Sequence, residues 1–427
     1  MQRRDSRSPL AEPAMPRHRT ETARCSRRAF LATVPALGGA ATLRPTAAAA
    51  APPLPLGQAE LGLRITGLET FVVRATARTS WIVIRLTTND GRTGLGEASL
   101  GRRTELPELE PFFALVRDRS PFEIHRYRQG GRDAAAAGDR AVATAFSAVE
   151  QAQWDLVGKA LGAPVYDLTG GSLREELPAY ANINRATSDR TPEGFAANAR
   201  QAVDDGFRAI KAAPFDGFPS LDAPAADVEA ATELGIACIE AMRTAIGPDV
   251  ALKIDVHSNF DVPLAIEVAA RLEPQSLSWY EEPVPPTDLA STRAIKEGIR
   301  QPMAGGEFLF GVEGFEPLCR ERAVDIIMPD VKHCGGVTEL SKIATVAELH
   351  GVLVSPHNPS GPVSTMVSAQ VCAGLPNFDI LEYQWNEVPW RGGLIDPPER
   401  FNGGILQVPD GPGFGVTLNE SVVRQHL

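Results

Sequence analysis

The 427-residue chain carries 42 basic and 53 acidic side chains, a net charge of −11, and 43% hydrophobic residues. This length excludes a single small domain and suits an α/β barrel of about 250 residues with a smaller companion domain. The acidic balance disfavours nucleic-acid binding, and five cysteines without a CxxC pair exclude a zinc ribbon or a thioredoxin-like motif.

Residues 1–52 have the features of a targeting segment. A twin-arginine motif, Arg27 and Arg28, precedes a mildly apolar stretch over 32–43 and an alanine run over 47–51. We therefore predict a Tat signal peptide and linker, hence a periplasmic location, or a cytoplasmic one if the signal is not functional. The alternative is a disordered basic tail. No apolar run reaches about 18 residues, so no membrane span is predicted.

The first part of the mature chain predicts strands followed by a helix. Residues 65–73, 80–86 and 93–97 are β-rich, and Asn89-Asp90-Gly91 predicts the turn before the third strand. Alanines recur on one helical face over 140–161, and Gly162-Ala163-Pro164 ends that helix.

From about residue 178, short apolar strands alternate with longer amphipathic helices. The predicted strands are 179–183, 209–212, 251–255, 278–281, 302–305, 325–329, 351–355 and 379–382. Eight strands with intervening helices predict a parallel barrel. Residues 388–427 are irregular and rich in glycine and proline.

Three carboxylates follow consecutive barrel strands. Asp255, Glu281 and Glu307 are spaced by 26 residues each, one strand–helix unit. The carboxyl ends of barrel strands share one mouth, where active sites are built. Three converging anions repel one another unless a hard cation lies among them, which favours Mg²⁺ with oxygen ligands. Zinc is disfavoured because no cysteine or second histidine accompanies them.

Further polar residues end the neighbouring strands. Asp330 and His357 follow the sixth and seventh strands, and a carboxylate beside an imidazole fixes its tautomer and raises its basicity. Glu382 ends the eighth strand and would donate a proton if its pKa were raised. Lys211 ends the second strand, on the opposite side of the mouth.

These parts predict a reaction class. A divalent cation would hold a substrate carboxylate and stabilise the enediolate formed when a base removes the α-proton. His357 is the predicted base on one face, and Lys211 is the candidate on the other.

The pattern resembles the enolase superfamily, in the mandelate racemase branch of the mandelate racemase/muconate lactonizing enzyme family, from about residue 63 to the C-terminus. The resemblance implies an α/β fold: a (β/α)7β modified TIM barrel over 178–385 and an α+β capping domain over 63–177. It also implies a C-terminal segment, 386–427, that returns to the capping domain, and a homo-oligomer.

By residue, the resemblance implies Mg²⁺ ligands at Asp255, Glu281 and Glu307, a catalytic dyad of Asp330 and His357, and an acid at Glu382 that hydrogen-bonds the substrate carboxylate. The muconate-lactonizing group has a catalytic lysine five residues before the Gly-Gly pair after strand six. Asp330 occupies that position here, which favours the mandelate racemase branch.

One departure bears on the reaction. The branch usually has Lys-x-Lys on strand two, with the second lysine as base, whereas this chain has Lys211-Ala212-Ala213. Racemisation needs a base on each face, while syn elimination of water can run with His357 alone. We therefore expect dehydration of an acid sugar, an aldonate or aldarate. The alternative is a racemase or epimerase of an α-substituted carboxylate that uses Lys211 and His357.

Other side chains are candidates for substrate contacts. They are His257, Asn358 and Lys332 in the barrel loops, and the capping loop 97–103 with the Gly- and Ala-rich segment 129–139. Arg102, Arg103 and Arg132 either meet a second substrate carboxylate or are solvated loop charges. A non-catalytic periplasmic binding protein would need neither the carboxylates nor the dyad, and only Ala213 suggests a degenerate enzyme.

Overall fold

The computed structural model describes residues 62–427. The predicted Tat signal peptide and linker, residues 1–52, lie outside these described residues. Within 62–427, no helix combines the length and apolar character needed to cross a bilayer.

The first domain is an antiparallel sheet covered by helices. Its strands are β1 (Ile65–Arg74), β2 (Ser80–Thr88) and β3 (Thr93–Glu97), in the order β1-β2-β3, and its helices are α1 (Leu109–Val116), α2 (Ile124–Ala137), α3 (Arg140–Leu161) and α4 (Val165–Leu168). The predicted strand 93–97 and helix 140–161 match β3 and α3. The Gly- and Ala-rich segment 129–139 lies largely in α2.

Small residues allow α3 to lie directly on the sheet. A Cβ atom on Gly94 or Gly96 of β3 would overlap the carbonyl oxygens of Ala152 and Ala148 in α3. The alanine face of the helix and the glycines of the strand therefore belong to one close contact. The Asp139 side chain caps the start of α3 by accepting hydrogen bonds from two backbone N–H groups.

The second domain is a ring of eight parallel strands. They are β4 (Glu176–Asn182), β5 (Ala209–Ala212), β6 (Ala251–Asp255), β7 (Trp279–Glu281), β8 (Met303–Gly305), β9 (Ile326–Ile327), β10 (Leu353–Val354) and β11 (Leu381–Gln384). Neighbours pair in chain order and β11 pairs with β4. The ring closes between β10 and β11, where the Asp379 N–H donates to the Val354 carbonyl at 2.9 Å.

Seven helices connect these strands. They are α5 (Pro192–Asp204), α6 (Ala225–Ile246), α7 (Val262–Arg271), α8 (Leu289–Gly298), α9 (Gly311–Arg320), α10 (Gly336–Leu349) and α11 (Pro362–Cys372). Because each of the first seven strands is connected to the next parallel strand through a loop and a helix, all eight strands end at one mouth. The predicted (β/α)7β barrel with an α+β capping domain is confirmed.

The last part of the chain contacts both domains. It comprises β12 (Ile395–Asp396), β13 (Phe401–Asn402), β14 (Ile405–Gln407), β15 (Thr417–Leu418) and α12 (Glu420–Gln425). Strand β14 pairs antiparallel with β4 of the barrel. The buried Asp155 carboxylate of α3 accepts hydrogen bonds from the Leu95 and Phe414 N–H groups, each at 2.8 Å, which ties this segment to the capping domain.

A buried carboxylate joins the capping domain to the barrel. Glu150 of α3 accepts hydrogen bonds from the Val337 N–H at 2.7 Å and the Thr338 N–H at 3.0 Å, at the start of α10. Arg128 lies 3.4 Å from the same carboxylate. These N–H groups have no partner within their own helix, so Glu150 satisfies them and complements the helix dipole.

We expect Glu150→Ala to destabilise the fold by about 3 kcal/mol, because it leaves the N–H donors of Val337 and Thr338 without their buried acceptor. It also removes one of the two carboxylates beside Arg128. Its melting temperature should fall below that of the wild type and of a control, Glu229→Ala, which removes an exposed helical carboxylate. Equal melting temperatures for the two variants would show that Glu150 does not hold the domains together.

Candidate active site at the mouth of the barrel

Three buried carboxylates meet at the ends of adjacent strands. Asp255 and Glu281 end β6 and β7 and are register partners, and Glu307 follows β8 after Gly306, whose φ is +102°. One oxygen from each carboxylate lies within 4.8 Å of the other two. The structure thus brings together the three predicted ligands as an all-oxygen set that could hold a divalent cation.

Neighbouring side chains fix these carboxylates in place. The Trp279 indole N–H donates to Glu281 at 2.9 Å. The Glu282 carboxylate accepts hydrogen bonds from the backbone N–H groups of Gly306 at 2.7 Å and Glu307 at 3.3 Å. The residue after one candidate ligand therefore positions the backbone of the next.

Lys211 lies among these carboxylates rather than free in the mouth. Its Nζ is 3.0 Å from Asp255 and 3.8 Å from Glu382, and it also pairs with Glu281. Burial favours the neutral amine, but the charges of Asp255 and Glu281 dominate and raise the pKa of Lys211 well above its ordinary value. In this arrangement Lys211 is a charged partner of the acids.

The predicted dyad is assembled. His357 Nδ1 lies 2.8 Å from Asp330 Oδ2, which sets Nδ1 as the donor and leaves Nε2 towards the cavity, 3.3 Å from Glu307. Burial lowers the pKa of His357, but the charges of Glu307 and Glu382 and the bond to Asp330 outweigh it and raise that pKa.

Lys332 shares the carboxylate of the dyad. Its Nζ lies 2.6 Å from Asp330 Oδ2, and its backbone N–H donates to Asp330 Oδ1 at 2.8 Å. Burial would raise the pKa of Asp330, but the charges of Lys332 and His333 lower it below its ordinary value. Asp330 is therefore held ionised, as a residue that orients His357 must be.

Glu382 is held as a carboxylate. It accepts hydrogen bonds from the Asn182 side chain at 2.6 Å and the Asn358 backbone N–H at 2.7 Å. Burial would raise the pKa of Glu382, but the charges of Lys211 and His357 lower it, the opposite of the shift that proton donation requires. The Asn358 side-chain amide donates internally, to Thr365 and to the Glu382 carbonyl.

A second imidazole–carboxylate pair lies across the mouth. His257 Nδ1 is 2.5 Å from Asp216, and its Nε2 is 3.1 Å from Asp255. His257 follows β6 and His357 follows β10, four strands apart in the eight-stranded ring, so the two imidazoles occupy opposite sides. The charge of Asp255, opposed by burial and helped by the bond to Asp216, raises the pKa of His257 to about 12.

A cavity of about 330 Å³ contains these groups. Its lining includes Asp255, Glu307, Lys211, Lys332, His257 and His357. The capping domain contributes Arg78, Arg140 and residues 99–101 of the predicted capping loop. Arg102, Arg103 and Arg132 do not line the cavity, and Arg103 and Arg132 pair with Glu108 and Glu313 instead.

Sequence reasoning assigned no role to four of these residues. Asn182 ends the first barrel strand, so the strand-end rule that found Glu382 also applied to it. Asp216 became identifiable only through its contact with His257. Arg78 lies in the turn between β1 and β2, and Arg140 is the first residue of α3. Both line the cavity because the capping domain packs on the barrel, a contact between distant parts of the chain.

Comparison with known families matches both domains. The family described as "Enolase C-terminal domain-like" matches residues 194–422, and "Mandelate racemase / muconate lactonizing enzyme, N-terminal domain" matches residues 69–170. The two matches together cover most of the capping domain and most of the barrel.

Individual relatives match over most of their length. A D-gluconate dehydratase of Thermoproteus tenax is 35% identical over 81% of this chain and 69% of its own. A D-xylonate dehydratase of Haloferax volcanii is 30% identical over 81% of this chain and 85% of its own. A crystal structure of a mandelate racemase/muconate lactonizing enzyme-like protein from Roseovarius sp. superimposes with a TM-score of 0.77, at 29% identity, over 85% and 95% of the two chains.

We expect Mg²⁺ to raise the melting temperature of the metal-free protein, because a ligand at about 100 times its Kd stabilises the folded state by about 2.7 kcal/mol. Glu281→Gln should lose most of this shift, since it replaces one of the three converging carboxylates. Glu240→Gln, an exposed helical control, should keep it. If Mg²⁺ raises the melting temperatures of both variants equally, the cation binds elsewhere.

Proposed function

The chain belongs to the enolase superfamily, and from that premise we propose that it removes the proton next to a substrate carboxylate and then eliminates water from an acid sugar. The two relatives described above, named as sugar-acid dehydratases, support this reaction class. The observation that carries the proposal is the His357–Asp330 pair at 2.8 Å, beside three carboxylates that fit a divalent cation.

We assign Mg²⁺ to Asp255, Glu281 and Glu307, because three buried carboxylate oxygens are the hard donor set that this ion prefers. When bound, it supplies positive charge that makes the α-proton of a nearby carboxylate more acidic. Glu307 also lies 3.3 Å from His357 Nε2, so the base is next to this ligand set.

His357 carries the proton transfers. Its Nδ1 is committed to Asp330, so the lone pair on Nε2 takes the proton from C2 of the substrate. The C2=C3 double bond then forms as the C3–O bond breaks, and His357 returns the proton to the departing hydroxyl on the same face. Water leaves, and the resulting enol tautomerises to a 2-keto-3-deoxy acid.

On the side of the mouth opposite His357, Lys211 is not free to act as a base for racemisation. Lys211 is enclosed by Asp255, Glu281 and Glu382, and Ala213 places only a methyl group where the branch usually has its lysine base. Racemisation or epimerisation with Lys211 and His357 would require Lys211 to leave these contacts, so dehydration is the better supported reaction.

His257 offers a second route for the leaving group. It lies across the mouth from His357 and hydrogen-bonds to Asp216 and Asp255. A hydroxyl departing on that face would find a proton donor there. The stereochemistry of elimination therefore distinguishes a single-histidine from a two-histidine pathway.

We expect the mature protein with Mg²⁺ to convert one or more acid sugars to a 2-keto-3-deoxy acid, visible as new methylene signals by proton NMR. His357→Asn should lower kcat by at least about 100-fold, the usual worth of a general base. Arg102→Gln, outside the cavity, should leave the rate unchanged.

His257→Asn separates the two pathways: full activity supports His357 acting alone, and loss of elimination with retained α-proton exchange supports His257 as the donor. In D₂O, exchange at C2 without a new product would instead support a racemase or epimerase. Retention of activity in His357→Asn would rule out the assigned base.

A further inference from the structure

The charges that line the cavity do not balance within it. Each lining carboxylate has a partner: Asp216 binds His257, Asp255 binds Lys211, and Glu307 lies beside His357. The remaining lining groups of the barrel are also paired, with Lys332 on Asp330 at 2.6 Å and Arg185 on Glu387 at 2.9 Å. Each of these barrel side chains therefore has an ion-pair or hydrogen-bond partner.

Two arginines of the capping domain are the exception. Arg78, in the turn between β1 and β2, and Arg140, the first residue of α3, both line the cavity. Among residues 62–427, neither side chain forms an ion pair or a hydrogen bond. Both guanidinium groups belong to the domain that covers the barrel mouth.

Arg140 is held in place by stacking, and the charges of nearby barrel carboxylates act on it from beyond ion-pair distance. Its guanidinium carbon lies 3.1 Å from the centroid of the Phe308 ring, and that ring lies 5.7 Å from the His357 ring. Stacking fixes the plane of the guanidinium while leaving its N–H donors available. A planar donor fork of this kind matches a carboxylate or a phosphate.

We propose that the substrate is an acid sugar with a second anionic group, a carboxylate or a phosphate, at the end remote from the reacting carboxylate, and that Arg78 and Arg140 bind that group. This inference rests on the proposed dehydration. The barrel carboxylates and their cation take the reacting end, so the far end of the substrate meets the capping domain. A carboxylate or phosphate at that end would form ion pairs with these guanidinium groups, whereas a neutral hydroxymethyl terminus would not.

Other arginines of the capping domain do not share this arrangement. Arg102 does not line the cavity, and Arg103 is paired with Glu108 at 3.4 Å. The contrast makes Arg102→Gln a matched control, because it removes an arginine charge from the same domain without touching the cavity.

The test compares substrates that differ only at the far end. Galactarate and galactonate, or glucarate and gluconate, present a carboxylate or a hydroxymethyl group at C6, and 6-phosphogluconate presents a phosphate. We expect kcat/KM to be higher for the dianionic substrate of a pair by roughly 10- to 100-fold, which corresponds to the free energy of one charge-assisted hydrogen bond. Arg78→Gln and Arg140→Gln should shrink that ratio mainly through KM, and Arg102→Gln should preserve it.

Binding supplies a readout independent of turnover. Calorimetry with the His357→Asn protein and Mg²⁺ should give tighter binding of galactarate or 6-phosphogluconate than of their monoanionic partners, and the preference should weaken when Arg140→Gln is added. Preference for either dianion supports the proposal and identifies the group as carboxylate or phosphate.

Equal or better turnover of aldonates would overturn the anion preference while leaving dehydration standing. Preferential dianion binding without turnover of any acid sugar would overturn the proposed dehydration while supporting the two-arginine site. If Arg140→Gln and the wild type have the same ratio of kcat/KM for dianionic over monoanionic substrates, Arg140 does not bind the second anionic group.

Discussion

Mutual repulsion among three buried carboxylates governs the mouth of this barrel. At separations within 4.8 Å, each pair of full charges costs at least about 3 kcal/mol at an effective dielectric constant of about 20. The barrel imposes this cost through strand register, which places Asp255 beside Glu281, and through the loop that adds Glu307. Positive charge offsets it, from Lys211 and His257 within the chain and from the cation that the oxygen ligands fit.

The remaining parts of the site follow from that anionic centre. In the proposed reaction, a substrate carboxylate would approach it with a cation present, which would bring the α-carbon beside His357, whose ring Asp330 orients. The capping domain closes the site from above, docked by Glu150 at the start of α10. The capping domain is thus attached at the start of α10, directly after the loop that carries Asp330.

The repeat of short apolar strands and the polar residues at their ends predicted most of the barrel and of its site from the sequence. These patterns are local, because each strand–helix unit is continuous in the chain. Contacts between distant elements could not be predicted in the same way. No helix was predicted over α2, where Gly131 lies in close contact with Phe146 of the next helix. The lowered pKa of Glu382 and the His257–Asp216 pair depend on side chains from different strands meeting in space.

The most direct test is a crystal structure of the His357→Asn protein with Mg²⁺ and an acid sugar. We predict one Mg²⁺ ion bound by Asp255, Glu281 and Glu307, the substrate carboxylate on that ion, and C2 directed at the side chain of residue 357. Binding of the sugar with C2 directed at the Ala213 side, or of the ion away from the three carboxylates, would contradict the account.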